Sequence, residues 1–376
     1  MFLSSLNLIF FLIAVFFSLE TTLIILGIKG CYLIPIIIIS LIYLLNFKFT
    51  LEKRSFYHLL LYLICSCLPL IFRQIEIHFF LLSFSLFFVS LAMFYITLSI
   101  FNKESFNNRN YLILDFLIFI SLSLSLIEVF KPEIFIYIRE YLWGVSKDLD
   151  NLIRRVEEVG RIRPALIFNE ESDFAIFISL IFALRSCFKN FKFIHIFIFM
   201  IFVFLVRSPS IFIFLPVIFF KFINKKVLIY PTLFFAFTLF IKRIDYIFHN
   251  FEFNNSLLER VYYPFLYFMN DPFGFGAGNL TQVNNFVCTN LNFFACSENS
   301  ANASSSIFMN LIMFGLPFFL LYLLLIYKFF GKNYLLIVTT SFFFVGLFAT
   351  MYNSPRFFLL FAISISLLLT HDKNKL

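Results

Sequence analysis

Long apolar runs, parted by short polar breaks, fill this chain from end to end. Runs near 3–19, 31–47, 56–72, 79–101, 111–130, 174–188, 193–206, 211–223, 227–241, 305–327, 334–352 and 357–370 are continuously apolar rather than alternating. Membrane-barrel strands would alternate over about ten residues. The pattern therefore predicts an all-α polytopic integral membrane protein with about 12 transmembrane helices, forming a single domain, 1–376. Two long polar loops, 131–173 and 242–304, interrupt the series. Several runs are shorter than the roughly 20 residues that span a bilayer. In 193–241 the runs read either as separate tilted helices or as a helix broken around Arg207-Ser208-Pro209. Residues 2–19 lack a basic start and a small-residue cleavage site, so they read as a retained first helix. No internal repeat is visible.

Composition agrees. With 61% hydrophobic and 13% charged residues and a mean hydropathy of +0.95, the chain has more apolar surface than a water-soluble core needs. The net charge of +8 is informative by location, not as a nucleic-acid patch. Segments 48–54, 102–110, 189–192, 221–226, 328–333 and 371–376 hold 14 Lys or Arg, whereas 20–30, 73–78, 207–210 and 353–356 hold 4. The basic set is cytoplasmic by the positive-inside rule, so both termini lie inside and both long loops outside. Reporter fusions at Asp148 and Asn285 should accordingly be active only with a reporter that works outside the cytoplasm. A cytoplasmic signal at either position would invert the topology.

The first long loop opens at Lys131-Pro132. Ile138, Leu142, Val145, Leu149, Leu152 and Val156 recur at helical spacing, which predicts an amphipathic helix over 134–158 on the outer membrane face. Trp143 suits that interface. Arg139, on the same segment, is expected to be dispensable. Glu170, Glu171 and Asp173 precede an apolar run, where acids complement a helix dipole.

Candidate chemistry concentrates in 257–320. Three of the ten glycines fall at Gly274, Gly276 and Gly278, in Asn270-Asp-Pro-Phe-Gly-Phe-Gly-Ala-Gly. The run follows no strand and opens no βαβ unit, so it is a tight re-entrant or surface loop rather than a nucleotide fingerprint. The outer arginines Arg73, Arg161, Arg163, Arg207, Arg260 and Arg356 offer planar donor forks for phosphate. The plainer reading of each is a local ion pair or a side chain reaching to headgroups. Glu298 is the carboxylate with no capping role and the candidate general base. Asp271, before Pro272, suits turn geometry. The histidines show no metal spacing, and neither metal nor cofactor is expected. Cys288 and Cys296 share the second outer loop and can pair in an oxidising compartment.

The stretch Arg260, Tyr262-Tyr263, then Asp271-Pro-Phe-Gly-Phe-Gly-Ala-Gly278, followed by Ser304-Ser-Ser-Ile-Phe-Met-Asn-Leu-Ile-Met-Phe-Gly315-Leu-Pro-Phe, resembles the O-antigen polymerase and ligase superfamily of bacterial envelope glycosyltransferases. Arg163 through Phe174 and Arg207-Ser208 resemble further arginine-bearing stretches of that family. The resemblance is clearest over 255–320.

It implies a metal-independent transferase, multi-pass in the bacterial inner membrane. Its substrate would be a polyprenyl-pyrophosphate-linked oligosaccharide used at the periplasmic face. The candidate catalytic residues are Arg260, on the resemblance, and Glu298, on its lack of a capping role, since the resemblance leaves the base unassigned; the candidate substrate-binding residues are Arg161, Arg163, Arg207, Tyr262, Tyr263, Gly274, Gly276 and Gly278. The implied partners are the lipid-linked oligosaccharide, the lipid bilayer and a chain-length regulator; nucleic acid is not among them. Ligases of this family place a His just before the helix at 305. Here the positions are Ala303 and Ser304, with no His between His249 and His371, so repeat-unit polymerase is the first expectation. A flippase or transporter for lipid-linked oligosaccharides, an O-antigen ligase and a structural envelope subunit are the alternatives.

Overall fold

The computed structural model describes residues 2–3, 5–19, 24–25, 28–46, 53–73, 77–103, 105–106, 110–143, 163–168, 170–220, 269, 271–276, 306–348 and 355–373. Among these the chain is helical. The α-helices are α1 (Ser5–Leu19), α2 (Gly30–Asn46), α3 (Lys53–Cys67), α4 (Ile77–Lys103), α5 (Asn110–Phe130) and α6 (Pro132–Trp143). They continue with α7 (Glu171–Ser186), α8 (Phe193–Val206), α9 (Leu215–Phe219), α10 (Ser306–Phe330), α11 (Lys332–Phe348) and α12 (Pro355–Lys373). Strand structure is limited to two-residue pieces. Phe2–Leu3 pairs in parallel with Ser105–Phe106, and Ile24–Ile25 pairs antiparallel with Ile28–Lys29.

The apolar runs that fall within the described residues appear as helices, with differences in two of them. The run 211–223 is a 3₁₀ turn (Pro209–Phe212) followed by the short α9, because Pro209 and Pro216 each remove a backbone donor. α9, at five residues, is too short by itself to cross a bilayer. The amphipathic segment begins as α6, directly after α5. The run 305–327 is not one continuous helix, since α10 breaks at Gly315. The run 227–241 lies outside the described residues.

Two compact units divide the chain. The first comprises Met1–Asn46, Phe101–Lys221 and Thr370–Leu376; the second comprises Phe47–Ile100 and Phe222–Leu369. The first is built around α7, where residues 173–176 and 178–186 are buried. α5, α8, α9 and the 3₁₀ turn at 209–212 all pack on it, and α1 packs on α2. The second combines α3, α10 and α11 with α12, which is buried from Arg356 to Leu368. Edge-to-face rings tie α12 to its neighbours, among them Phe94–Phe358 and Tyr62–Phe358.

α5 has its polar side inward. Its buried positions are Asn110, Leu114, Ile118, Ser121, Ser125 and Glu128, a helical stripe in which four of six are polar. Its outward positions include Leu112, Phe116, Phe119, Ile127 and Phe130, with Phe130 78% exposed. In water that arrangement would forgo roughly 1.5–3 kcal/mol for each large side chain left uncovered. α8 also leaves large apolar side chains uncovered, with Phe193, Phe197, Met200 and Phe204 outward at three- and four-residue spacing. By length and composition Asn110–Phe130 and Asn310–Phe330 are able to cross a membrane, at about 1.5 Å per residue against a core of about 30 Å.

Candidate functional site

The glycine loop and the helix after it form one module in the second unit. α10 carries Gly315 at φ 68°, ψ 162°, a conformation outside the helical region, and Pro317 two residues on. Gly315 ends the first helical segment, and Pro317 has no N–H to offer the turn before it. Three backbone groups of the helix are thereby released, and the loop 271–276 satisfies all three. Phe275 N donates to Ile312 O at 2.9 Å, Gly276 N donates to Met313 O at 2.9 Å, and Leu316 N donates to Pro272 O at 2.8 Å. Buried backbone polar groups require partners, most strictly at membrane depth. The loop supplies here what an unbroken helix would have supplied internally.

The glycines allow that approach. Gly274 and Gly276 have φ of 82° and 86°. A Cβ at Gly274 would stand 2.6 Å from Phe314 C and 2.8 Å from Met313 O; one at Gly315 would stand 2.6 Å from Pro272 O. Two motif stretches, separated by about 30 residues that are not described, are thus interlocked backbone to backbone. Arg73, at the end of the 3₁₀ turn that follows α3, forms an ion pair with Asp271 and lies 4.7 Å from the centre of the Phe275 ring. Asp271, expected as a turn former, therefore also has a charge partner, and the Arg73 guanidinium is engaged within the module.

Beneath the loop a polar ladder runs between α3 and α10. Tyr62 donates its hydroxyl to Asn310 Oδ1, and His58 Nε2 lies 2.5 Å from Tyr322 Oη. The Tyr62 and Tyr322 rings meet edge to face at 5.6 Å. His58 is satisfied at Nε2 only, since its buried Nδ1 has no hydrogen-bond partner.

The first unit holds two further polar clusters. Arg185, 2% exposed, forks onto Asp115 with Nε–Oδ1 2.6 Å and Nη2–Oδ2 3.1 Å, and donates to Asn190 Oδ1 at 2.8 Å. Glu128 is the other centre. Its Oε1 accepts from Arg139 Nη1 at 2.6 Å, and its Oε2 accepts from the backbone N–H groups of Ala165 at 3.0 Å and Leu166 at 2.7 Å. Arg139 Nη1 also donates to Leu166 O at 2.9 Å. The expectation that Arg139 is dispensable is therefore corrected. Arg139 is the counter-ion of a carboxylate with no solvent exposure, and a buried charge without a partner is costly.

No known protein family, curated protein or solved structure matches this chain.

Of the expected site residues, Arg163, Arg207, Gly274 and Gly276 lie within the described residues. Arg161, Tyr262, Tyr263, Arg260, Gly278 and Glu298 lie outside them, as do Cys288 and Cys296. Gly274 and Gly276 belong to the loop–helix module of the second unit. Arg207 ends α8 in the left-handed conformation, φ 50°, just before Ser208. Arg163 precedes the segment tethered by Glu128. Arg356 is buried at the start of α12. Among the described residues no group of His, Cys, Asp and Glu could hold a metal. Glu170, Glu171 and Asp173 do stand at the N-terminus of α7, with Ser172 Oγ donating to Glu170 Oε2 at 3.1 Å.

Sequence reading missed Glu128, Asp115, Arg185 and the Tyr62–Asn310 pair. The signal for the acids was present, because a carboxylate inside an apolar run marks a membrane-buried polar centre by default.

Proposed function

We propose that this chain is a multi-pass membrane glycosyltransferase of the O-antigen polymerase type. It transfers oligosaccharide repeat units carried on polyprenyl pyrophosphate, at the outer face of the bacterial inner membrane. The observation that carries this reading is the loop–helix module. Asp271–Gly276 and Asn310–Pro317 come from the two stretches on which the family resemblance rests, and they are joined by three backbone hydrogen bonds. Membrane embedding is supported by the polar-in, apolar-out faces of α5 and the exposed aromatic stripe of α8.

The alternation of sides is supported by the polar pairs within each unit. Arg73 with Asp271, and Arg139 with Glu128 and Leu166, join residues assigned outside by the charge bias. Arg185 with Asp115 and Asn190, Ser186 with His371 at 3.1 Å, and Phe2 with Ser105 join segments assigned inside or the run ends next to them.

In this reading Arg260 holds the pyrophosphate as the reducing-end sugar leaves. Negative charge grows on the leaving group, so a fixed cation there stabilises the transition state beyond the ground state. Arg260→Ala should abolish polymer while membrane protein abundance stays normal, a loss on the order of the 2.7–4 kcal/mol typical of one transition-state donor. Arg260→Lys should largely fail too, since it keeps the charge but loses the fork. Normal polymer from a normally abundant Arg260→Ala protein would remove the catalytic role.

The broken helix α10 gives a second reading some support, because transporters build midplane sites from discontinuous helices. A deletion strain separates the two. Loss of a polymerase leaves surface glycolipid with a single repeat unit, and loss of a flippase leaves none.

A further inference from the structure

Arg163 makes no ion pair or hydrogen bond, and its Nε is buried without a partner. The residues just after it are held unusually firmly. Glu128 Oε2 takes the amides of Ala165 and Leu166, and Arg139 holds the Leu166 carbonyl. Phe168 N closes a turn onto Ala165 O at 2.9 Å. The Phe168 ring packs on Phe16, Phe174 and Phe177 at 4.9–5.9 Å between centres. Leu166 is kept at φ 51°, a left-handed conformation that a branched side chain adopts only where its surroundings impose it. A membrane-buried carboxylate, its counter-ion and a strained turn are thus spent on fixing six residues whose first member is an uncommitted guanidinium. Pro164 further narrows the backbone freedom of Arg163.

We infer that Glu128 and Arg139 are positioning residues that hold the Arg163 guanidinium open as a site for a phosphate-class anion at the outer membrane edge. A guanidinium binds such an anion through paired N–H donors and needs no other cation in place to begin. The source of the anion is the pyrophosphate of a lipid-linked donor or the headgroup of an anionic phospholipid. Choosing the first rests on the polymerase reading above, but the anion site itself does not.

The test measures binding without turnover. Full-length protein in neutral detergent micelles is titrated with farnesyl pyrophosphate, and separately with phosphatidylglycerol, and the affinity is read from the thermal shift. Wild type should be stabilised by one of the two, which names the source. Arg163→Ala should weaken that ligand at least tenfold with the unliganded melting temperature unchanged, and Arg163→Lys should recover part of the loss. The paired variant Glu128→Gln/Arg139→Met leaves no buried charge and so remains folded, yet it releases the Leu166 carbonyl. Its affinity should fall several-fold, while Arg139→Lys, which keeps a donor for both acceptors, should stay near wild type.

Wild-type affinity in Arg163→Ala would overturn the site. Wild-type affinity in the folded paired variant would overturn the positioning role. Neither result bears on polymer length in cells, so a failure here remains distinct from a failure of the polymerase reading.

Discussion

Gly315→Ala should unfold the loop–helix module. At φ 68° and ψ 162° the residue occupies a region that is essentially closed to L-residues, a strain of about 1–3 kcal/mol. The new Cβ would also stand 2.6 Å from Pro272 O, inside van der Waals contact with a backbone that cannot retreat without breaking the Leu316 N–Pro272 O bond. Losing that bond, and the two that Phe275 and Gly276 donate, would leave backbone groups unpaired at about 1–3 kcal/mol each. The expected total, at least about 4 kcal/mol, belongs to the exceptional class of single substitutions.

Gly331→Ala is the control. Its φ is 84°, so it carries the left-handed strain, but nothing lies within 4 Å of the added Cβ. It should cost only about 1–2 kcal/mol. Thermal unfolding of the purified full-length proteins reads the difference directly. Equal melting temperatures for the two variants would mean that the loop does not sit in the helix break.

Arg139→Ala should be the most damaging substitution in α6. It leaves the Glu128 carboxylate buried with two backbone donors and no counter-ion, and breaking a buried pair from one side costs about 3–5 kcal/mol. Glu128→Gln/Arg139→Met removes both charges together and keeps an acceptor for the two amides. It should restore most of the stability, because a buried ion pair replaced as a whole is often close to neutral. The cycle of single and paired variants isolates the coupling. A neutral Arg139→Ala would show that Glu128 needs no cation and would remove the clamp.

These two features mark the limit of what the chain discloses in one dimension. Apolar runs fix where helices lie because burial or lipid contact is needed along their whole length, so α1 to α5 fall where the pattern puts them. Pro209 and Pro216 shorten the run at 211–223, and Gly315-Leu-Pro317 breaks α10. Both signals are local and were readable as breakers.

The partners of the charged groups were not readable in the same way. Arg73 meets Asp271 from 198 positions away, and Glu128 meets the Ala165 and Leu166 amides from 37 and 38 positions away. Spacing along one helix says which residues share a face, not which other helix that face meets. Arg139 shows the consequence, since on its own helix it looks like a polar residue of an amphipathic surface, and only the neighbouring end of α5 reveals its counter-ion. The glycine run was legible as a tight loop, but the backbone groups it serves belong to a helix that the sequence presents as continuous.

A protein of the proposed type joins repeat units. The direct measurement is reconstitution of the purified full-length protein in vesicles with the polyprenyl-linked glycolipid extracted from a deletion strain, followed by gel and mass analysis of the lipid-linked sugars. A polymerase should yield glycolipids of two and more repeat units together with released polyprenyl pyrophosphate, and the Arg260→Ala protein should yield neither. Glycolipid that crosses the vesicle membrane but keeps a single unit would contradict the polymerase reading and leave the transporter reading in its place.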